Sequence, residues 1–540
     1  MSRFRGLAGI VVLALSVVSG ASGAQPVRQG TEFQVNTYTT DTQFGSHIAM
    51  DPAGGFVVVW TSLGEDGSDY GVVARRYDSA GNPLDPAGVI VNTYTTSTQY
   101  AGDVGIDGAG NFIVVWSGYG PGSTLGLFGR RYRAAGQPLD AAEFEIDTLG
   151  NHDIGAPSMA VNQGGQFVVA WSSLRYPSNS SHPVADIVAR RFQSDGSPLD
   201  PSEFKVNTST LYNPYVRGDV GVDEAGRFVV TWSSKAASGG TSDVFARRFG
   251  SDGKPLDSTE FVVNSYITGD QTYPSVAMSG DGGFVVAWSG YGPGSANSGV
   301  FARGFRSDGT PLQNQEFRVS GIEGYPRVAA DRAGDFVIAG GSSDSSGSGV
   351  AARRMTIDGR TIDTTEFLVN SYQQLDQGDP AVAMNPSGDF VVTWDSDYQD
   401  GSSWGVFGQR FACNDLDGDG ICDALDIVIT SHANGDVAAC GHPSDVNSLP
   451  VFSWQRGNFG SFQATISWDP TFAKGERITS GRVPLRRNSW KPSVRQWIRA
   501  CHNAGAHLYL RVFGVDRAVG RHDPNRTTYS NAVFLNPSFL

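Results

Sequence analysis

One sequence pattern recurs seven times and limits the fold of this chain more than any other feature. A run similar to Phe-Val-Val-Val-Trp begins at a phenylalanine in each copy, and successive copies lie 56, 55, 61, 56, 52 and 54 residues apart. The seven phenylalanines are Phe56, Phe112, Phe167, Phe228, Phe284, Phe336 and Phe390. A repeat of this length that is built from short strands predicts a closed ring of sheets.

A turn signature precedes each run. The residue five positions before the phenylalanine is Asp, Asn or Ser, and the residue two positions before it is always Gly, as in Asp51 and Gly54. A short polar side chain can cap a turn and glycine accepts positive φ, so we expect a tight hairpin before each strand. Both faces of the following run are apolar, which only a strand covered on both sides tolerates.

Each repeat has sequence for four strands, the content of one propeller blade. The last strand of a repeat reads Glu-Phe-x-Val-Asn, as at Glu260 to Asn264, and the chain opens with this strand at Glu32 to Asn36. The seventh repeat stops at Phe411 without it. The N-terminal strand can therefore complete the final blade and cover two edges. We predict an all-β fold, with a seven-bladed β-propeller of four-stranded blades in residues 25–412.

The repeats resemble the blades of secreted bacterial β-propeller proteins with Gly-x-Phe-Val-Val-x-Trp motifs, from about Thr31 to Phe411. This resemblance implies the fold and says little about activity. The sixth copy has Gly340 where the other six have tryptophan, which predicts a looser blade. Those tryptophans are Trp60, Trp116, Trp171, Trp232, Trp288 and Trp394.

The N-terminus has the layout of a secretory signal. Arg3 and Arg5 precede an apolar stretch, and small residues end at Ala24, so residues 1–24 are predicted to be removed on export. We expect a secreted, periplasmic or cell-surface protein, and no later apolar run approaches the roughly 20 residues of a membrane span. We also expect a monomer.

The composition argues against nucleic-acid binding. Without the signal and its two arginines, 38 basic residues remain against 54 acidic ones, a net charge of −16. Phosphate contacts need clustered Lys and Arg, whereas an acidic chain is compatible with cation binding. The four cysteines, Cys413, Cys422, Cys440 and Cys501, all follow the repeats. An even count in an exported protein suggests two disulfides, and three pairings are possible.

An acidic segment in residues 413–446 has the spacing of a calcium loop. Carboxylates occupy loop positions 1, 3, 5, 9 and 12, and Gly418 occupies position 6, as in EF-hand loops. The predicted Ca²⁺ ligands are Asp415, Asp417, Asp419, the carbonyl of Ile421, Asp423 and Asp426. With Cys413 the segment is similar to a thrombospondin type 3 repeat, which implies a calcium-stiffened linker. Asp426 replaces the usual Glu, so we expect weakened affinity.

A different pattern begins near Asn447. Alternating strands over residues 447–540, with Trp454 as a core aromatic and Tyr509 near a sheet corner, look like a fibronectin type III or immunoglobulin-like sandwich. Such modules usually space or bind. Cys501, His502 and His507 were also considered as zinc ligands, but a disulfide at Cys501 is favoured.

No catalytic motif stands out. The chain has no His-Glu-x-x-His or P-loop sequence. Arginine pairs such as Arg75-Arg76 recur at one strand position, which favours a structural role over a sialidase-like one. Arg217-Gly218-Asp219 spells an integrin-binding tripeptide, but similar triplets at Ala101 and Gln377 suggest that the repeat explains it.

Exposed aromatics among glycines are the best binding candidates. Tyr119 and Tyr291 lie just past a strand end, and Tyr398 and Trp404 occupy the matching loop of the seventh repeat. Such rings can bind sugars or a peptide, or fold back over the blade ends. We therefore expect a non-enzymatic scaffold that binds a glycan or protein ligand. The alternative is a carbohydrate-active hydrolase or lyase with its site at the channel mouth.

Overall fold

The structure is a computed structural model of the chain. It describes residues 25–148, 153–175, 184–209, 211, 218–235, 240–292, 298–332 and 334–413, and after these only six short strands between residues 452 and 535. The described residues contain strands and no helix. Within this part of the chain, no helix has the length and hydropathy that a membrane span requires.

Seven antiparallel sheets form the repeat region, as the spacing predicts. An N-terminal strand, β1 (Val27–Gln34), precedes them. The first three blades comprise β2 (Gln43–Met50), β3 (Phe56–Leu63), β4 (Tyr70–Tyr77) and β5 (Val89–Ile90); β6 (Gln99–Ile106), β7 (Phe112–Gly120), β8 (Thr124–Tyr132) and β9 (Phe144–Glu145); and β10 (Asp153–Ile154), β11 (Ser158–Val161), β12 (Phe167–Arg175), β13 (Val184–Phe192) and β14 (Phe204–Lys205). The first strand of blade 3 is thus divided into β10 and β11, which both pair with β12.

The remaining blades repeat the same order. They comprise β15 (Gly218–Val222), β16 (Phe228–Lys235), β17 (Ser242–Phe249) and β18 (Phe261–Val262); β19 (Thr272–Met278), β20 (Phe284–Gly290), β21 (Gly299–Phe305) and β22 (Phe317–Val319); β23 (Glu323–Ala330), β24 (Asp335–Ser343), β25 (Ser348–Thr356) and β26 (Phe367–Leu368); and β27 (Gln377–Met384), β28 (Phe390–Asp397) and β29 (Trp404–Ala412). Each first strand contacts the first strands of both neighbouring blades. The ring is therefore closed around a channel.

The N-terminal strand completes the seventh blade. β1 pairs antiparallel with β29, so the sheet order is β1-β29-β28-β27, as predicted. The Phe33 ring lies 5.4 Å from the Tyr77 ring of blade 1, measured between centroids. Arg28 donates a hydrogen bond of 2.9 Å to the carbonyl of Val369 in blade 6. Chain ends that are far apart in sequence thus hold the ring together.

Neighbouring blades share their apolar faces. Val57 and Val59 of blade 1 pack in one cluster with Phe112, Val114 and Trp116 of blade 2. The other face of the same strand packs against blade 7. This explains why the second strand of each repeat is apolar on both sides, since each face is covered by a different blade.

The glutamate of the Glu-Phe-x-Val-Asn motif ties a blade to the preceding one, whereas blade 1 has Gly88 at this position. The Glu260 carboxylate of blade 4 accepts hydrogen bonds from the backbone N–H groups of Thr208 and Ser209, at 2.8 and 2.9 Å. Glu32 of the N-terminal strand binds the loop at Ser371 in the same way. The Asn264 side chain closes the motif by accepting from the N–H of Val244.

The arginine pairs also join blades. Arg190 donates to the carbonyl of Ile146 in the preceding blade, and Arg191 donates to the carbonyl of Ser251 in the next one. Arg191 additionally forms a two-point contact with Asp200, at 3.0 and 2.6 Å. Equivalent contacts recur around the ring, in agreement with the structural role expected for these pairs.

The sixth blade compensates for its missing tryptophan. A methyl group on Gly340 would lie 2.5 Å from Cγ2 of Ile322, so the isoleucine occupies the space beside the glycine. Ile322 is 1% exposed and belongs to the core shared by blades 5 and 6. The expectation of a looser blade is therefore not supported.

Short antiparallel strands follow the propeller. They are β30 (Phe452–Ser453), β31 (Ser461–Ser467), β32 (Arg477–Pro484), β33 (Ser489–Trp490), β34 (Leu508–Val515) and β35 (Val533–Leu535). One sheet has the order β32-β31-β34-β35, and β30 pairs with β33. The sandwich assignment for residues 447–540 stays a prediction, as do the signal segment, the disulfides and the domain boundaries. The predicted calcium loop lies outside the described residues.

The non-covalent closure gives a first prediction. Replacing Phe33 with Ala removes ring contacts that hold β1 in blade 7, so we expect a loss of about 2 kcal/mol in unfolding free energy. Hydrogen exchange in β29 should accelerate, because its partner strand is released. Phe261→Ala, at the same position in the covalently continuous blade 4, is the control. Equal acceleration in β29 and β17 in the two variants would contradict a special role for β1.

The Glu260 contact predicts a pH-dependent contribution to stability. Burial raises the pKa of Glu260, but the hydroxyl and N–H donors of Ser209 and Thr208 outweigh this and lower it to about 2. The contact therefore stabilises the fold above the ordinary carboxyl pKa of 4.5 and is lost as pH falls towards 2. Since the group is only partly buried, Glu260→Gln should cost no more than about 1 kcal/mol at pH 7.

Urea unfolding of wild-type and Glu260→Gln protein at several pH values measures this difference. The gap between the two should shrink as the pH is lowered from neutral towards about 3. A gap that stays constant over this range would show that the carboxylate charge contributes nothing.

Candidate functional site

The two ends of the propeller channel differ in chemistry. The hairpins between first and second strands lie at one end, here called the turn face. In an antiparallel blade, the first strand begins at the end where the second strand finishes. The loop that enters the first strand and the loop that leaves the second strand therefore lie together at the opposite end, here called the loop face.

The turn face serves structure. The glycines two positions before each repeat phenylalanine all have positive φ, between 79° and 94°, as their hairpins require. A cavity of about 150 Å³ lies among these turns. Its polar lining caps the turns themselves: Asp223, for example, accepts from the N–H of Ala225 and binds Arg227. These side chains therefore stabilise the hairpins.

The loop face carries the exposed tyrosines. Among the described residues, six tyrosines stand out as exposed, and each lies at the start of a first strand or the end of a second one. They are Tyr100, Tyr119, Tyr273, Tyr291, Tyr325 and Tyr398. An exposed aromatic surface of this kind is thus confined to one end of the described propeller.

The aromatics predicted from the sequence fall on this face. Tyr398 is 58% exposed, while Tyr119 and Tyr291 are each 38% exposed. The Tyr291 ring lies over Gly269, where an added methyl group would come within 2.5 Å of its Cδ2 atom. Trp404 is partly buried and pairs with Asp397 in the sheet. Tyr291 and Trp404 are therefore partly folded back, and Tyr398 extends furthest into solvent.

A second set of residues, missed in the sequence, encircles the channel mouth. The first strands of five blades each contain a register shift at the same point, near the loop face. Bulges of this kind change the direction in which a side chain points and are frequent beside functional sites. The residues eleven positions before the repeat phenylalanine occupy this point, and we call them the bulge ring: Gly45, Ala101, Ala156, Tyr273, Tyr325 and Asp379. The blade 4 position lies outside the described residues.

The bulge ring is not symmetric. Three consecutive blades carry Tyr273, Tyr325 and Asp379, all exposed, whereas blades 1 to 3 carry glycine or alanine. The two tyrosine rings meet edge to face, with centroids 4.2 Å apart. Tyr273 and Asp379 have positive φ values of 55° and 46°, which non-glycine residues rarely adopt. One half of the channel mouth thus carries large and acidic side chains, and the other half carries glycine and alanine.

The backbone strain at Asp379 is of the kind that clusters at functional sites. Gly45 occupies the same ring position in blade 1 with φ of 67°, so glycine satisfies this conformation without strain. An aspartate at Asp379 therefore has a cost that the fold alone does not require. This observation makes Asp379 the acidic candidate of the site.

A buried carboxyl group lies beside Asp379. Asp395 is 4% exposed, and its Oδ2 atom accepts a hydrogen bond of 2.8 Å from the N–H of Gly45. Its Oδ1 atom is buried without a hydrogen-bond partner. Burial raises the pKa of Asp395 well above the ordinary value, and the nearby Asp379 adds to the rise, while the N–H groups of Gly45 and Ser46 oppose it.

The structure changes how the Arg-Gly-Asp triplet aligns with the other repeats. Asp219 lies nine positions before its phenylalanine, as Asp103 does, and both accept hydrogen bonds from the next blade, at Val276 and Met159. These aspartates join blades. Asp379 lies two positions earlier in its repeat, so the sequence match that equated it with Asp103 and Asp219 is wrong. Arg217 itself lies outside the described residues.

Within the described propeller, no group of three or more His, Cys, Asp or Glu side chains is arranged to hold an ion. The predicted calcium ligands lie elsewhere, in residues 415–426, and the candidates Cys501, His502 and His507 also lie outside the described residues.

Comparison with known proteins gives matches at the level of the fold. No family model matches the chain, and no curated protein sequence matches it. An ulvan lyase, a polysaccharide lyase, is 11% identical with a TM-score of 0.45, covering 70% of this chain and 96% of the lyase. A protein of unknown function from Dyadobacter fermentans is 11% identical with a TM-score of 0.44, covering 72% and 99%. The α-L-arabinofuranosidase of Fusarium graminearum is 10% identical with a TM-score of 0.37, covering 71% and 98%.

These comparisons correct the expectation of a non-enzymatic binding or scaffold protein. The two solved structures above that have a named activity are a polysaccharide lyase and an arabinofuranosidase, the enzyme classes of the alternative expectation and not of the leading one. At this level of identity the likeness concerns the fold. The choice of site and chemistry must therefore come from the residues of this chain.

Proposed function

We propose that this chain is a carbohydrate-active enzyme whose substrate binds across the loop-face mouth of the channel. The asymmetry of the bulge ring supports this proposal. Tyr273 and Tyr325 offer flat apolar rings with polar tips, which suit the mixed apolar and hydroxyl surfaces of sugars. Asp379 adds a carboxyl group, the usual acid or base in glycosidic bond cleavage.

The predicted export agrees with a polysaccharide substrate. A protein that leaves the cell through the signal in residues 1–24 meets glycans outside it. We propose an extracellular polysaccharide as the partner of the loop face. The calcium loop at residues 415–426 is proposed as a stiff joint after the propeller.

A polysaccharide screen tests the proposed function. Arabinan, galactan, xylan, laminarin, alginate and ulvan are incubated with the exported protein, and both new reducing ends and unsaturated products are measured. Turnover of at least one substrate is the expected result. No product from any of the six would overturn the proposal for these classes of glycan.

Tyr325→Ala should weaken binding of the substrate that is turned over fastest. Loss of one stacked ring is worth about 1 kcal/mol, so KM should rise roughly fivefold to tenfold with little change in kcat. Leu256→Ala is the control, because Leu256 is similarly exposed but follows a third strand and so lies at the turn face. Equal effects of the two substitutions would argue against a tyrosine platform.

Calcium binding is tested on the full chain. Titration calorimetry should show a site of roughly millimolar affinity, as expected for an extracellular module with Asp at the twelfth position. Asp417→Asn removes a ligand charge and should weaken that binding at least severalfold. Heat that is identical for wild-type and Asp417→Asn protein would show that the ion binds elsewhere.

A further inference from the structure

Asp395 breaks the repeat at a buried position. It lies five residues after its repeat phenylalanine, where the other six blades carry a hydroxyl residue or glycine. These counterparts are Thr61, Ser117, Ser172, Ser233, Ser289 and Gly341. A carboxyl group in this row is found in blade 7 alone among the seven, in the same blade as Asp379.

The fold does not need a carboxyl group there. In blade 1, the Thr61 hydroxyl accepts a hydrogen bond of 3.0 Å from the N–H of Ala101, the bulge-ring residue of blade 2. Asp395 accepts from the N–H of Gly45, the bulge-ring residue of blade 1, at 2.8 Å. A hydroxyl therefore performs the same structural task. The aspartate leaves a second oxygen buried without a partner, which is unfavourable by about 1–3 kcal/mol.

Asp395 and Asp379 are close enough to affect each other's charge. They belong to paired strands, since Gly378, next to Asp379, lies opposite Asp395 in the sheet. From blade 1, the backbone N–H groups of Gly45 and Ser46 face the Asp395 carboxyl. The Asp395 carboxyl is buried, and its pKa is raised by that burial and by the nearby Asp379.

We infer that Asp379 and Asp395 form the acid pair of the site, with Asp379 as the catalytic residue that contacts the substrate and Asp395 as its positioning residue. This inference rests on the proposed function and deepens it. An exposed carboxyl group at the loop face, backed by a buried acid that favours its protonated form, is suited to protonating a leaving group. It therefore favours hydrolysis of a glycosidic bond over elimination.

The proposed hydrolysis consumes one water molecule. Asp379, as a carboxylic acid, gives its proton to the glycosidic oxygen while the bond from that oxygen to the anomeric carbon breaks, and the bonding electrons stay with the oxygen. The oxygen of water then bonds to the anomeric carbon, and the proton that it releases returns to the Asp379 carboxylate. Asp395 does not contact the substrate. Its role is to keep a proton available to Asp379 between turnovers.

Three variants test the pair, each as the full exported chain on the polysaccharide that the wild-type protein cleaves fastest. Asp379→Asn should lower kcat by roughly 100-fold or more, because the acid is removed. Asp395→Thr restores the residue type of the other blades, so it should keep or raise Tm while lowering kcat at least about tenfold. Its KM should stay close to the wild-type value. Ser233→Ala, at the same position in blade 4, should keep kcat.

The pH dependence separates positioning from a merely structural role. Asp395→Thr removes the buried acid whose pKa is raised, so the basic limb of the kcat profile should move to lower pH in this variant. Difference infrared spectra should also show a protonated carboxyl band at neutral pH that is present in Asp379→Asn and absent from Asp395→Thr.

The possible results are distinguishable. Turnover that survives Asp379→Asn, or unsaturated products from the wild-type protein, would overturn the acid pair and leave the proposed function standing. Unchanged kcat in Asp395→Thr, or a fall in both Tm and kcat without a shift in the pH profile, would remove Asp395 from the mechanism. No turnover by the wild-type protein would overturn both proposals.

Discussion

The packing of one blade's second strand against both neighbouring blades is the interaction on which this structure depends. Each such strand is apolar on both faces, and a fully buried Val or Phe contributes about 1.5–3 kcal/mol. A blade that stood alone would expose both apolar faces of this strand to water. The blades are therefore stable only as a ring, and the ring requires β1 to complete blade 7.

Polar contacts between blades fix the arrangement that the apolar faces favour. Glu260 binds the loop of the preceding blade, and Arg191 binds both its own Asp200 and the next blade. These contacts repeat because each junction has the same geometry. A residue that departs from this repeated pattern, such as Asp395, is therefore informative. The residues at the same position in the other blades show what the structure alone requires there.

Much of the fold follows from the sequence because its signals are local and repeated. Gly54 and its six counterparts predict hairpins through their conformational freedom, and the missing last strand after Phe411 predicts closure by Glu32 to Asn36. The loop-face tyrosines Tyr119 and Tyr398 could also be predicted, since they follow strand ends. Repetition makes each of these signals visible several times.

The bulge ring could not be predicted in the same way. A register shift leaves no reliable mark in the alternation of apolar residues, because the extra residue is absorbed within a strand that otherwise reads as continuous. The similarity of Gly378-Asp379 to Gly218-Asp219 even favoured a wrong alignment by two positions. The strand pairing shows that Asp379 lies at the same bulge as Gly45, Tyr273 and Tyr325.

Stability and function act in opposite directions at the junction of blades 7 and 1. Gly45 meets the bulge geometry without strain, whereas Asp379 meets it with a positive φ. Thr61 satisfies its neighbour with a hydroxyl, whereas Asp395 does so with a carboxyl group that has an unpartnered oxygen. Blade 7 thus contains two unfavourable residues that interact electrostatically. Folding alone hardly explains this combination. Natural proteins tolerate such departures mainly where activity depends on them, which supports the proposal that the chemistry of the loop face lies at blade 7.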